Sequence, residues 1–389
     1  MSEIKELIER LCPDGVEYRK LADLAEVGTG SSNKQDSSDD GKYPFFVRSK
    51  FVERHNNFEY DEEAIIIPGE GGIGDIFHYI NGKYALHQRV YRIHFTTNSV
   101  NTKFAYYYLR NSFKKYILGK AVSATVTSIR KPMIQNFEIP VPPIEVQRKI
   151  VEILDNFTEL EAELEAELEA RRKQYEYYRD NLFLTSTNIK KIGDLTKVFS
   201  CPRVFRNQWK ESGIPFWRSS DVMSYHNGVK NPRGEVFISQ SLYQELSRKT
   251  EKIEKGDLLV TGGGSIGMPY LKRDNNPLFV KDADLICIKK CDNFIPSFLY
   301  HYFFTTEFRT YLKKITHDAT IAHYTINQIK DTPIPVPPIE EQKRIVAILD
   351  RFEALTTDLQ SGLPAEIEAR RKQYEYYREK LLTFKRKTA

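Results

Sequence analysis

At 389 residues the chain is longer than one ordinary hydrophobic core supports, so two or more domains are expected. Its 40% hydrophobic and 29% charged residues are those of a soluble globular protein, with no apolar run long enough for a bilayer and a charged start (Ser2, Glu3, Lys5) unlike a secretory signal. Four cysteines (Cys12, Cys201, Cys287, Cys291) make no disulfide framework and point to the cytoplasm, and the net charge of +5 is uneven: +2 over 1–150, −6 over 151–187, +7 over 188–338 and +2 over 339–389.

In chain order, the first block shows a short strand at 64–67 ending at a Gly-rich turn, a further strand at 90–93, then an aromatic-rich helix over 104–118. The prolines at 140–143 force an extended connector. After them Ile150, Leu154, Phe157, Leu160, Leu164, Leu168, Tyr175, Tyr178 and Leu182 step by three or four. That spacing predicts a helix of about 35 residues, roughly 50 Å long, with a narrow apolar seam. A second block repeats the theme: strands at 257–260 and 283–288, and an aromatic helix over 298–312. Its own tail carries Ile345, Leu349, Phe352, Leu355, Leu359, Ile367, Tyr374, Tyr377 and Leu381 at the same spacing, with Pro364 expected to kink or interrupt it.

The tails are copies. Residues 139–145 recur unchanged at 334–340, Gln147 answers Gln342, Asp155 answers Asp350, and 169–179 recur unchanged at 368–378. The blocks before them correspond loosely: Asp23 with Asp194, 44–48 with 215–218 (which sets Arg48 beside Arg218), 72–74 with 265–267, and 124–126 with 319–321. The expected fold is α+β: two globular mixed domains separated by two long antiparallel helices that form an intramolecular coiled coil with pseudo-two-fold symmetry. Boundaries are set at 1–144 and 184–338 for the domains, and at 145–183 and 339–389 for the helices. The first helix also holds a tandem tetrapeptide, 161–164 and 165–168, so Phe157 to Tyr175 spans 18 positions where Phe352 to Tyr374 spans 22. A four-residue change keeps the seam roughly in phase and alters length by about 6 Å.

Catalytic chemistry is not legible. The stretch 262–267 is glycine-rich but lacks the lysine and hydroxyl of a phosphate-binding loop, so it reads as a tight turn. Cys287, Cys291 and His301 lack a second ligand pair at zinc-finger spacing. Asp14, Glu17 and Arg19 echo a nuclease signature only faintly, and no nucleophile, helicase or methyltransferase motif is present.

The duplicated 139–145 and 334–340 motifs, the 170–179 and 369–378 tails and the opening 7–18 together resemble the specificity (S) subunit of type I restriction–modification systems, over essentially the whole chain. The resemblance implies a non-catalytic subunit binding double-stranded DNA and two modification (methyltransferase) subunits, with restriction (motor-nuclease) subunits joining in some assemblies. S-adenosylmethionine would sit on the methyltransferase partner, which methylates adenine, and no cofactor is expected in this chain. Each variable domain would read one half of a split target while the helices set the gap. A stand-alone two-headed DNA-binding protein and a scaffold without DNA are the rival readings.

Base edges and phosphates favour Arg, Lys, Asn, Gln and Ser or Thr on loops. The DNA-binding candidates are Asn33, Lys34, Arg48, Lys50, Arg54, His87, Gln88 and Arg89 in the first domain. In the second they are Arg203, Arg206, Arg218, Ser219, Lys272, Arg273, Lys281 and Tyr324. Tyr177 and Tyr376 fall off the seam, with Arg171 and Arg370 nearby, and form the expected face for the modification subunits. No metal ligands are assigned.

Overall fold

The computed structural model describes residues 2–120, 128–184, 186–316, 323–357 and 361–388. The matched stretches 124–126 and 319–321 and the seam residue Leu359 lie outside them. Two compact units emerge: residues 1–163 with 368–389, and residues 164–367.

The first unit opens with α1 (Ser2–Leu11), then β1 (Tyr18–Lys20), β2 (Ala25–Thr29), β3 (Tyr43–Phe46), β4 (Val52–His55), β5 (Tyr60–Pro68), β6 (His78–Leu86) and β7 (Val90–Phe95). After these come α2 (Thr102–Lys120), α3 (Lys131–Gln135), β8 (Glu138–Pro140) and the first part of α4 (Ile144–Phe183). Six strands form one sheet in the order β2-β7-β5-β6-β3-β4, antiparallel except for the parallel pair of β3 and β6. Ala64 to Ile67 are wholly buried, as an apolar run in a central strand must be. The aromatic face of α2 covers the sheet through Phe104, Leu109 and Phe113.

The second unit continues α4 and adds β9 (Ile189–Lys191), α5 (Ile192–Leu195), β10 (Val198–Ser200), β11 (Ile214–Trp217), α6 (Ser219–His226), β12 (Phe237–Ile238) and α7 (Gln240–Leu246). Next are β13 (Leu258–Thr261), β14 (Pro269–Leu271), β15 (Phe279–Val280), β16 (Leu285–Ile288), α8 (Pro296–Tyr302) and α9 (Thr306–Thr316). The chain ends with α10 (Ile326–Asp331), β17 (Pro333–Pro335), α11 (Ile339–Thr357) and α12 (Leu363–Leu381), most of α12 belonging to the first unit. Here the sheet is divided, β10-β16-β13-β14 and β12-β11-β15, because residues 272–278 interrupt what in the first unit is the single strand β6. The aromatic helix expected over 298–312 is also broken, into α8 and α9. Thr305 stops the first helix and caps the second, its Oγ1 accepting from Phe308 N at 3.2 Å.

The repeated tails act as clasps. In each unit the Pro-rich segment pairs as a two-stranded ribbon with the strand that opens the block, β8 on β1 and β17 on β9. Proline fits there because the ribbon has free edges. The glutamine that follows is wholly buried and ties three backbone groups: Gln147 accepts from Asn101 N (2.8 Å) and donates to Ser99 O (2.8 Å) and Pro142 O (2.7 Å). Gln342 repeats this with Ile295 N (2.8 Å), Asn293 O (3.1 Å) and Pro337 O (2.9 Å).

The helices pair antiparallel within each unit, and each copy lends its end to the other. Phe157 of α4 lies against Tyr374 and Tyr377 of α12, 6.2 and 5.6 Å between ring centres. In the second unit Phe352 of α11 lies against Tyr175 and Tyr178 of α4, at 6.4 and 5.6 Å. At 40 residues, α4 is slightly longer than expected. Its sister is interrupted, with Pro364 the second residue of α12, where a missing N–H costs nothing. Three seam residues are exposed, Leu160, Tyr178 and Leu355, of which Tyr178 still stacks on Phe352, while Thr356 is buried in place of Leu355 and bonds Phe352 O at 2.7 Å.

Candidate nucleic-acid interface

The same backbone frame recurs at one sheet edge of each unit. In the first, β3 and β6 end side by side, and His87 N donates to Phe46 O at 3.0 Å. In the second, β11 and β15 end likewise, and Lys281 N donates to Trp217 O at 2.9 Å. A glycine-rich turn closes each frame: Gly69 N bonds Arg89 O at 3.0 Å, and Gly262 N bonds Asp284 O at 2.8 Å. The turn at 262–267 joins antiparallel β13 and β14, as its sequence suggests.

This frame corrects one correspondence. Because Phe46 answers Trp217, Arg218 matches Val47 and Arg48 matches Ser219. A one-residue offset sends a strand's side chains to opposite faces. Val47 and Arg218 are accordingly both buried, at 5% and 8% exposure. Arg218 pairs with Asp221 at 2.9 Å and donates to Gly234 O at 2.6 Å, so it holds a loop together from inside.

In the first unit the frame gathers five candidates. Glu70 binds Arg48 Nη1 at 2.9 Å and Arg89 Nη1 at 3.1 Å, and these two guanidinium bonds hold its carboxyl below the usual range. Gln88 Nε2 donates to Asn33 Oδ1 at 2.6 Å, and Asn33 N to Asp36 at 2.6 Å. His87 is buried; desolvation, then the charges of Arg48 and Arg89, lower its pKa. The neutral ring fits its bond, with Nδ1 accepting from Arg89 N at 3.0 Å, so His87 orients Arg89. Lys34 is exposed and 3.8 Å from Glu53, Arg54 donates to Gly41 O at 3.0 Å, and Lys50 lies 5.1 Å over the ring of Phe51.

In the second unit Arg203 meets Asp282 at 3.2 Å and Lys281 meets Asp284 at 3.4 Å. Ser219 is buried, its N–H and Oγ–H donating to the Asp284 side chain and carbonyl at 3.2 and 2.8 Å. Arg206 is exposed and stands 6.0 Å from the Trp209 ring. Two other candidates leave this edge, and a third, Tyr324, stays bonded to it through its backbone, its N donating to Gly262 O at 2.9 Å, with the side chain turned inward. Lys272 is buried and bonded to Asp274, Tyr324 is wholly buried and bonded to Thr332, and Arg273 lies 3.8 Å from Glu353 over the ring of Tyr300. With Arg218, Ser219 and His87, the polar groups of Lys272 and Tyr324 are spent inside the protein. Burial was invisible without strand register.

Sequence reasoning also missed residues. Glu70, Asp282 and Asp284 organise the cations, yet acids were not sought on a surface meant for a polyanion. Phe51 and Phe205 stand 69% and 60% exposed beside Lys50 and Arg206, and an aromatic flanked by cations was the available signal. On the helices, Tyr177 and Tyr376 are 65% and 59% exposed, off the seam as expected. Arg171 bonds Gln174 at 3.0 Å and Arg370 bonds Gln373 at 3.4 Å, the same local pair in each copy.

Residues 13–170 and 186–369 each match the family described as the type I restriction modification DNA specificity domain. The chain is 31% identical over 386 residues to a putative type I restriction enzyme specificity subunit of Haemophilus influenzae, spanning 95% of this chain and 96% of that protein. Its fold resembles the type I restriction–modification S subunit from M. genitalium, with a TM-score of 0.59 at 17% identity over 95% of this chain and 96% of that one. A second solved chain, from work on complex assembly and conformational transition of the type I system, gives 0.61 at 15% identity, over 95% and 97%.

Proposed function

The chain belongs to the type I restriction modification DNA specificity family, and from that premise we propose that its two units read the two halves of a split DNA target. What supports this most is the shared frame with unlike side chains: Arg48 and Arg89 around Glu70 on one, Arg203 and Lys281 around Asp282 and Asp284 on the other. An arginine fork suits guanine in the major groove, and a lysine or a singly bonded arginine suits phosphate. The reading residues are then those not buried: the exposed Lys34, Arg48, Lys50, Arg54, Gln88, Arg89, Arg203 and Arg206, and the half-buried Asn33 and Lys281. His87, Arg218 and Ser219 position them.

The helices set the gap, about 60 Å of α4 being available as a rod. Tyr177 with Arg171, and Tyr376 with Arg370, dock two modification subunits, which bring S-adenosylmethionine and methylate adenine. The chain contributes recognition, and motor-nuclease subunits join the same assembly for cleavage.

The test is to map methylated adenines in cells carrying the chain with its modification subunit. Arg48→Ala with Arg89→Ala relaxes one half-site, at about 1–3 kcal/mol per lost base contact, and Arg203→Ala with Lys281→Ala affects only the other. Methylation identical with and without the chain would overturn the proposal. Alanine at Tyr177 and Tyr376 with assembly unchanged counts against the docking face.

A further inference from the structure

The repeated tails place an aspartate at the same point in each unit, and the two are neutralised differently. Asp155 takes the Lys103 ammonium at 2.6 Å and the Tyr107 hydroxyl at 2.6 Å. When Phe298 of α8 is set against Phe104 of α2, Ser297 stands for Lys103 and His301 for Tyr107. The ammonium is gone. Three residues beyond the aspartate, Thr158 in the first tail becomes Glu353 in the second, which adds a carboxylate.

His301 is wholly buried, with Nε2 at 2.8 Å from Asp350 Oδ1 and Nδ1 at 3.1 Å from the Tyr175 hydroxyl. One ligand atom each from His301, Asp350 and Glu353 lies within 4.8 Å of the others, the one such mixed group among the described residues. Asp350 and Glu353 line a cavity of about 760 Å³ with Tyr175, Tyr225 and Tyr300. Glu353 Oε1 accepts from the Tyr300 hydroxyl at 2.6 Å, Arg273 approaches its Oε2 only to 3.8 Å, and Arg179 is held by Asp180 at 3.0 Å.

We propose that this cluster binds a divalent transition metal of the zinc class, with His301 Nε2, Asp350 and Glu353 as ligands and the cavity side left for water. Ligand bonds of about 2.0–2.1 Å in tetrahedral array put ligand atoms about 3.4 Å apart, so the His301–Asp350 pair at 2.8 Å must open by about 0.6 Å and the widest pair, within 4.8 Å, must close by at most about 1.4 Å. Imidazole beside carboxylate favours zinc or cobalt over magnesium. On binding, the single imidazole proton moves from Nε2 to Nδ1, which leaves Nε2 free for the metal, and Nδ1–H donates to the Tyr175 oxygen, fixing the ring. The metal ties α8 to α11 as Lys103 ties α2 to α4.

The test uses the full chain, dialysed against chelator and titrated with Co²⁺ by visible absorption and with Zn²⁺ by calorimetry. Stoichiometric binding is expected, weakened at least tenfold by Glu353→Gln and by His301→Gln and unaffected by Asp155→Asn in the other unit. Zinc should raise the melting temperature of the unsubstituted chain and not of Glu353→Gln. Absence of a cobalt band and of binding heat, or equal affinity in the variants, overturns the site.

Discussion

The two units share a backbone plan and fill it by opposite means. In the first, the position on the second strand of the sheet is Arg92, only 8% exposed, paired with Glu62 at 2.9 Å and Glu26 at 2.6 Å while Tyr84 donates to Glu62 at 2.8 Å. In the second, the equivalent position is Cys287, wholly buried opposite Leu259, its thiol pushed well up by desolvation. At this one position a polar network stands in the first sheet and apolar packing in the second. The tails, by contrast, are nearly identical, down to the buried glutamine. The difference teaches that the internal repeat keeps the way each unit is clasped and lets this position and the edge diverge, as the proposed pair of unlike readers would require.

The comparison breaks most visibly if the tails are altered. Deleting 161–164 shortens α4 by about 6 Å, one or two base pairs along the duplex. Methylation of the original target should be lost and a new gap should appear with the half-site bases unchanged. Changed bases with an unchanged gap defeat the rod model.

Substituting Arg92→Met strands Glu62, 15% exposed, without its cation and should destabilise the first unit by about 3–5 kcal/mol. Cys287→Ser leaves one buried hydroxyl in apolar surroundings and should cost about 1–3 kcal/mol. Chemical unfolding of the two variants measures both, and equal losses would show the cores to be alike after all.

The clasps sharpen the same comparison in the other direction. Gln147→Leu and Gln342→Leu each strip three backbone groups of their partner, at about 2–3 kcal/mol after partial hydration. Because the bonding is the same in both units, the two losses should match within about 0.5 kcal/mol. A large disparity by differential unfolding would mean the clasps are not equivalent.

Much of this was legible because repetition is a sequence property. The copies at 139–145 and 334–340, the seam through Ile150, Leu154 and Phe157, and the interruption ahead of Pro364 all follow from spacing and backbone chemistry. The edge was less legible. Arg48 and Arg218 looked matched by the Pro-Phe ahead of them, and only pairing with β6 and β15 reveals the offset. Lys272 and Tyr324 have the right chemistry for DNA, yet an interrupted strand and a buried loop turn them inward. The role of Gln147 was hidden because its partners, Ser99 and Asn101, are distant backbone groups that no side-chain pattern announces. The break at Thr305 needed the competing cap, which a run of aromatic residues masks.

The smallest expected effect concerns acid. His78 in the first unit and His226 in the second both have pKa values lowered, chiefly by burial. The unfolded chain therefore takes the proton first, and stability is full above about pH 6.5 and drains as pH falls below it toward the folded values. The two rings differ in what protonation meets. His226 Nε2 already donates to Pro269 O at 2.7 Å, whereas His78 Nε2 is buried without a partner. A second N–H on the His78 ring has no acceptor, so the first unit should be the more acid-sensitive of the two. His78→Gln should flatten the fall in melting temperature between about pH 7.5 and 5.5. An unchanged slope would place the acid sensitivity elsewhere and leave the two interiors equal in this respect.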